Sequence, residues 1–167
     1  MTIQIRPPRQ SDASLLIDLF KKLDTQTSFM LFEPDERVIN VEQQTQRIGE
    51  FQNSERRQML VAKSAQQMVG IVVGNGGNAN RNRHTLVIAI GVDLEFSGRG
   101  IGFRLMNALE AWARDTHFHR LELTVMRHNE RAIRLYKKCG YRQEGIKRHS
   151  LKVNGDFVDE LQMAKLI

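Results

Sequence analysis

The chain has 167 residues, with 25 Lys+Arg against 19 Asp+Glu and a formal charge of +6. That length suits one domain able to bury a core without disulfides or metal, and 41% hydrophobic with 26% charged residues excludes a disordered chain. A single cysteine, Cys139, excludes a disulfide framework and a Cys-rich zinc site.

Ile3 to Arg6 alternates apolar and polar and then meets Pro7 and Pro8, which predicts a short strand ending there. Ser11 and Asp12 supply an N-cap signal for a helix carrying Leu15, Leu16, Leu19, Phe20 and Leu23. Thr25 to Glu36 has no steady period and reads as a loop. Ile39 to Phe51 predicts a second helix with Val41, Thr45, Ile48 and Phe51 on one side. Gln58 to Lys63 and Gln67 to Val73 are β-like, and the Gly- and Asn-rich stretch Gly74 to Arg83 reads as an exposed hairpin loop.

His84 to Val92 is apolar on both faces, which predicts a central strand. Its apolar run, Leu86 to Val92, is far shorter than the roughly 20 residues that span a bilayer. The first ten residues hold no apolar signal core, so the cytoplasm is the expected compartment. Ser97 to His117 reads as a glycine-rich turn and a helix with Ile101, Leu105, Ala108, Leu109 and Trp112 on one face. Arg120 to Met126 predicts a strand and Asn129 to Lys138 a helix stopped by Gly140. Tyr141 to Leu151 and Phe157 to Leu166 predict two strands around an Asn154-Gly155 turn. The order gives about seven strands and four helices in one mixed α/β domain over residues 1–167.

The charge is uneven. Arg120 to Lys152 holds ten basic side chains against three acidic ones, which suggests an anionic partner: nucleic acid, a phosphorylated cofactor or an acidic substrate. Only Tyr136 and Tyr141 supply aromatic rings there, a poor stacking set for nucleic acid. His117 and His119 lack a third ligand at useful spacing, so no metal is expected.

The segment Val92 to Gly102 places Gly98, Gly100 and Gly102 at alternate positions between the best strand and a helix. Backbone N–H groups in such a turn, with the helix N-terminus behind them, form an anion cradle suited to pyrophosphate. A dinucleotide fingerprint fails because Phe103 falls where its last glycine belongs, and no P-loop pattern occurs. Ser97-Gly98-Arg99-Gly100-Ile101-Gly102 instead resembles the acetyl-coenzyme A signature of the GNAT superfamily of N-acetyltransferases, with Ser97 where the family usually has Arg or Gln. Asn129 to Tyr141, with Ala132, Leu135, Tyr136 and Gly140, resembles the second segment of the same family.

That resemblance implies an α/β (α+β) fold whose mixed, mostly antiparallel sheet is splayed at its central strands. It implies acetyl transfer from acetyl-coenzyme A to a primary amine by direct attack in a ternary complex. Val92, Asp93, Leu94, Gly98, Arg99, Gly100, Ile101, Gly102, Phe103, Asn129 and Tyr136 would bind the cosubstrate. Tyr136 would be the general acid toward the leaving thiol. An alkylamine, with a pKa near 10, must first lose a proton. Glu33, Asp93, Glu95 and Glu122 are the candidate bases, and Glu33 is preferred because the Phe29-to-Glu36 loop resembles the family's acceptor-side region, pairing Phe29 and Phe32 with Glu33, Asp35 and Glu36. The acceptor stays open among polyamines, amino acids, aminoglycosides, protein N-termini and lysines, and a homodimer would suit the family. The competing readings are a non-catalytic acyl-coenzyme A sensor and a basic nucleic-acid-binding module.

Overall fold

The computed structural model describes residues 2–167. The elements run β1 (Ile3–Arg6), α1 (Ala13–Gln26), α2 (Val41–Gln52), β2 (Arg57–Ser64), β3 (Gln67–Gly76), β4 (Thr85–Val92), α3 (Ile101–Asp115), β5 (Arg120–Met126), α4 (Glu130–Lys138), β6 (Arg142–Val153) and β7 (Asp156–Leu166). The strands form one sheet in the order β1-β2-β3-β4-β5-β7-β6, antiparallel except between β4 and β5. The expected element order is what folds.

Strand alternation divides the apolar residues between two cores. Leu60, Val72, Leu86, Leu121, Leu123 and Met163 pack with Ile101, Leu105 and Leu109 of α3. Met59, Val61, Ile71 and Val73 pack with Leu16, Leu19 and Leu23 of α1 and Ile48 and Phe51 of α2. No helix among the described residues is long and apolar enough to cross a membrane.

Several local expectations change. Asp12 does not cap α1. It is buried and accepts hydrogen bonds from the Arg6 guanidinium at 2.8 Å and the Arg9 N–H at 2.7 Å, tying β1 to the helix entry. Gly74 to Gly76 belongs to β3 rather than to a loop, because the β3–β4 ladder continues to Gly76 opposite Leu86. A Cβ at Gly76 would lie 2.7 Å from the Arg56 carbonyl oxygen, so this glycine serves close approach rather than turning.

The buried stripe of α2 is Gln44, Ile48 and Phe51, whereas Val41 is exposed in the first turn. Asn40 caps that turn by accepting from the Gln43 N–H at 2.8 Å. Gln44 is fully buried with neither amide atom hydrogen-bonded. Such a group costs about 1–3 kcal/mol. Gln44→Met should therefore raise stability by about 1–2 kcal/mol, read as a higher urea midpoint at unchanged slope.

Candidate functional site

Strands β4 and β5 pair over three positions only, Thr85 to Val87 with Arg120 to Glu122. Beyond them the two strands keep their outer neighbours, β4 with β3 as far as Val92 and β5 with β7 as far as Met126. The sheet therefore opens between Ile88–Val92 and Leu123–Met126, leaving backbone edges that face each other without a ladder. This is the expected splay. Helices α1 and α2 cover β2 and β3, and Leu23 of α1 reaches β4 at Gly91, but Val87 stays 49% exposed and Ala89 and Thr124 are exposed. The two-faced apolarity of β4 thus marks a groove floor rather than a strand buried on both faces.

Below the opening the chain turns into α3. Up to Ser97 the backbone donors are used: Asp93 N–H by Val69 O, Leu94 N–H by Gln26 Oε1, Glu95 N–H by Asp93 Oδ1 and Ser97 N–H by Leu94 O. From Gly98 this changes. The N–H groups of Gly98, Gly100, Ile101, Gly102 and Phe103 have no acceptor among the described residues. Gly98 and Gly100 have φ of +74° and +76°, and a Cβ at either would meet nothing within 4 Å. The result is an open concave set of donors on the positive end of a 15-residue helix, which suits a pyrophosphate.

Gly102 does something else. A Cβ there would lie 2.9 Å from Leu135 Cδ2, so this glycine lets α4 approach α3. Ile101 and Phe103 send their side chains into packing and leave only backbone for a ligand. The Arg99 guanidinium lies 5.1 Å from the Phe96 ring centroid.

Asp93 is buried beneath the cradle. It accepts from Lys22 Nζ at 2.7 Å, from Gln26 Nε2 at 2.8 Å and from the Glu95 N–H at 3.0 Å. Burial pushes its carboxyl up, but these donors together hold it below its ordinary value. Asp93 therefore anchors the loop before α3 to α1. A carboxyl depressed by folding stabilises the protein above its unfolded pKa of about 4 and loses that contribution as pH falls through the folded value. Asp93→Asn should cost about 2 kcal/mol at neutral pH, and urea melts should show the gap closing below about pH 4.

Asn129 caps α4, with Oδ1 accepting from the Ala132 N–H at 3.2 Å. That leaves its Nδ2 without a partner among the described residues. Tyr136 is the buried residue of α4, 6% exposed, and its ring centroid is 6.1 Å from that of Tyr141. Burial, with a smaller contribution from Cys139, pushes its phenol well above the ordinary value of 10.

On the other side of the opening lies the loop after α1. Arg37 fastens it by two hydrogen bonds to Asp24, at 2.9 and 3.1 Å, and lies between the Phe20 and Phe32 rings. Phe29 reaches His128 in the β5–α4 turn, with ring centroids 5.0 Å apart. Among the four candidate bases, Asp93 and Glu95 are held by Lys22, and Glu122 by Arg120 at 2.7 Å. Glu33 is exposed and has no ion pair among the described residues.

The sequence model of the acetyltransferase (GNAT) family matches residues 19–141, which include both the cradle and the Asn129–Tyr136 segment. The chain belongs to this family. It is 34% identical over 112 residues to the L-amino acid N-acetyltransferase AaaT of Escherichia coli, covering 64% of this chain and 67% of that protein. Its fold matches the crystal structure of a GNAT-family acetyltransferase from Streptococcus pneumoniae with a TM-score of 0.95, at 26% identity, over 99% of this chain and 100% of the other. It also matches yncA, a putative acetyltransferase from Salmonella typhimurium with its cofactor acetyl-CoA, with a TM-score of 0.87 at 17% identity, over 99% and 94% of the two chains. The protein is an N-acetyltransferase.

Within this acetyltransferase the basic stretch is partly self-neutralised. Arg120 binds Glu144 and Glu122, Arg127 binds Asp159, Arg134 binds Glu130 and Lys147 binds Glu160. That pairing weakens the nucleic-acid reading, because a polyanion site needs its cations uncommitted.

Sequence reasoning missed Lys22 and Gln26, which support the cradle from α1 about seventy residues away, and His128, which meets Phe29 in the loop after α1. It also missed the β6 bulge, where Arg148, His149 and Ser150 lie opposite Asp159 alone and His149 has a φ of +50°. Positive φ at a non-glycine residue was the feature no residue type announced.

Proposed function

We propose that this acetyltransferase moves the acetyl group of acetyl-coenzyme A directly to a primary amine bound in the groove over β4 and β5. The observation that carries the proposal is the β4–β5 opening next to five unpaired backbone donors at the start of α3. Donors from Gly98 to Phe103 hold the pyrophosphate, Val92 and its neighbours line the thioester arm, and Nδ2 of Asn129 is a donor to an amide carbonyl of that arm. Asp93 and Leu94 shape the loop, since their N–H groups are already used.

The cosubstrate supplies an activated thioester. The neutral amine nitrogen forms a bond to its carbonyl carbon as the carbon–sulfur bond breaks. The departing sulfur takes a hydrogen bond and then a proton from Tyr136, the amine's surplus proton leaves toward Glu33 through water, and solvent returns a proton to Tyr136 before the next turnover. Support for Glu33 is its freedom from ion pairs and its place on the loop fastened by Arg37 and Phe29. The acceptor class is an aminated small molecule or a peptide amine, in keeping with the amino-acid acceptor in the name of the Escherichia coli relative.

Thiol release from acetyl-coenzyme A across a panel of amino acids, polyamines and peptides tests the reading. A saturable acceptor-dependent rate is expected. Tight binding of acetyl-coenzyme A with no release for any amine would favour the sensor instead.

A further inference from the structure

A second site lies at the other end of α3. Trp112 is eleven residues beyond Ile101, hence roughly 16 Å along the helix axis from the cradle. Beside it, under the ends of β1, α2 and β2, is a cavity of about 360 Å³, within the roughly 300–1,000 Å³ range of small-molecule sites. Pro8, Phe51, Met59 and Trp112 give it an apolar lining, and Arg57 supplies its charge.

Arg57 and Arg47, the arginines near this cavity, form no ion pair among the described residues. The Arg57 guanidinium lies 4.1 Å from the Phe51 ring centroid, and Arg47 approaches the same ring at 5.9 Å. Arg57 donates from Nε to Asn75 Oδ1 at 3.1 Å, which leaves its two terminal nitrogens unused. Burial, then the neighbouring Arg37 and Arg57, disfavour the charged form of Arg47, while Glu50 partly offsets them. The Arg57 guanidinium, with both terminal nitrogens unused, is a fork for a planar anion. The lining beside it asks for an apolar body, which a bare phosphate lacks.

We infer that this cavity binds a small organic carboxylate with a flat apolar body. Its carboxylate would meet the terminal nitrogens of Arg57, and its body would lie against Trp112. The site is separate from the acetyl-coenzyme A cradle and does not depend on the acceptor.

Trp112 is the single tryptophan of the chain, so its emission reports on this cavity. Phenylacetate is the probe, and neutral phenylacetamide its uncharged counterpart. Phenylacetate should change the emission saturably below roughly 10 mM, with phenylacetamide at least about tenfold weaker. Arg57→Met keeps the stem on Phe51 and removes the charge, and it should weaken phenylacetate by about tenfold or more. Arg57→Gln is the second variant should the first melt early. Saturating acetyl-coenzyme A should leave the affinity unchanged. The inference is overturned by no saturable response, by equal affinity for the amide, by two folded variants that bind as well as the parent, or by displacement with acetyl-coenzyme A.

Discussion

Tyr136→Phe is expected to lower kcat by about 10²–10⁴-fold while the KM for acetyl-coenzyme A stays within about twofold. The ring contact with Tyr141 and the burial of α4 survive, because phenylalanine keeps the ring and removes only the hydroxyl. Burial disfavours the phenolate, so the group keeps its proton throughout the working range and is present as an acid. In the proposed reaction the phenol's hydrogen bond to the departing sulfur would offset the cost of a bare thiolate in dry surroundings. Since the phenol is pushed above 10, the rate should show no alkaline loss from Tyr136 below about pH 10. Steady-state rates across pH would check both points, and an unchanged kcat would remove the residue from the mechanism.

Gly100→Val should weaken acetyl-coenzyme A by about 100-fold or more. The residue has a φ of +76° with open space where a Cβ would project. A β-branched side chain is strained there by about 1–2 kcal/mol. Relaxing that strain turns the donors away from a common centre, and the side chain fills the space a phosphate needs. Gly102→Ala is the contrast. Its Cβ would meet the tip of Leu135 at 2.9 Å, so it should cost about 1 kcal/mol of stability with binding almost kept. Calorimetric titration alongside urea melts would separate the two. Equal losses of binding would mean that the three glycines act alike.

The contrast shows where sequence reading stopped. Three alternate glycines before a helix announced a cradle, and residue type alone could say no more, since each is simply a residue without a Cβ. Two are backbone-conformational and one is a packing glycine, a difference that depends on where Leu135 arrives from α4. Asp93 shows the same limit. Its place in the loop made it a candidate base, yet Lys22 and Gln26 of α1 and the Glu95 N–H engage both of its oxygens. On α2 the apolar period pointed to Val41 and Thr45, whereas the helix buries Gln44, an amide that no hydrophobic pattern would choose.

By itself the sequence determined the order of strands and helices, the cradle and the Tyr136 segment, because these rest on local periodicity, turn chemistry and short motifs. Only the tertiary structure decided which carboxylates are committed, where β4 parts from β5, and which face of the sheet stays uncovered. Those depend on contacts between residues far apart in the chain. A carboxylate's role is set by the cation that reaches it, and a groove by what the helices leave uncovered.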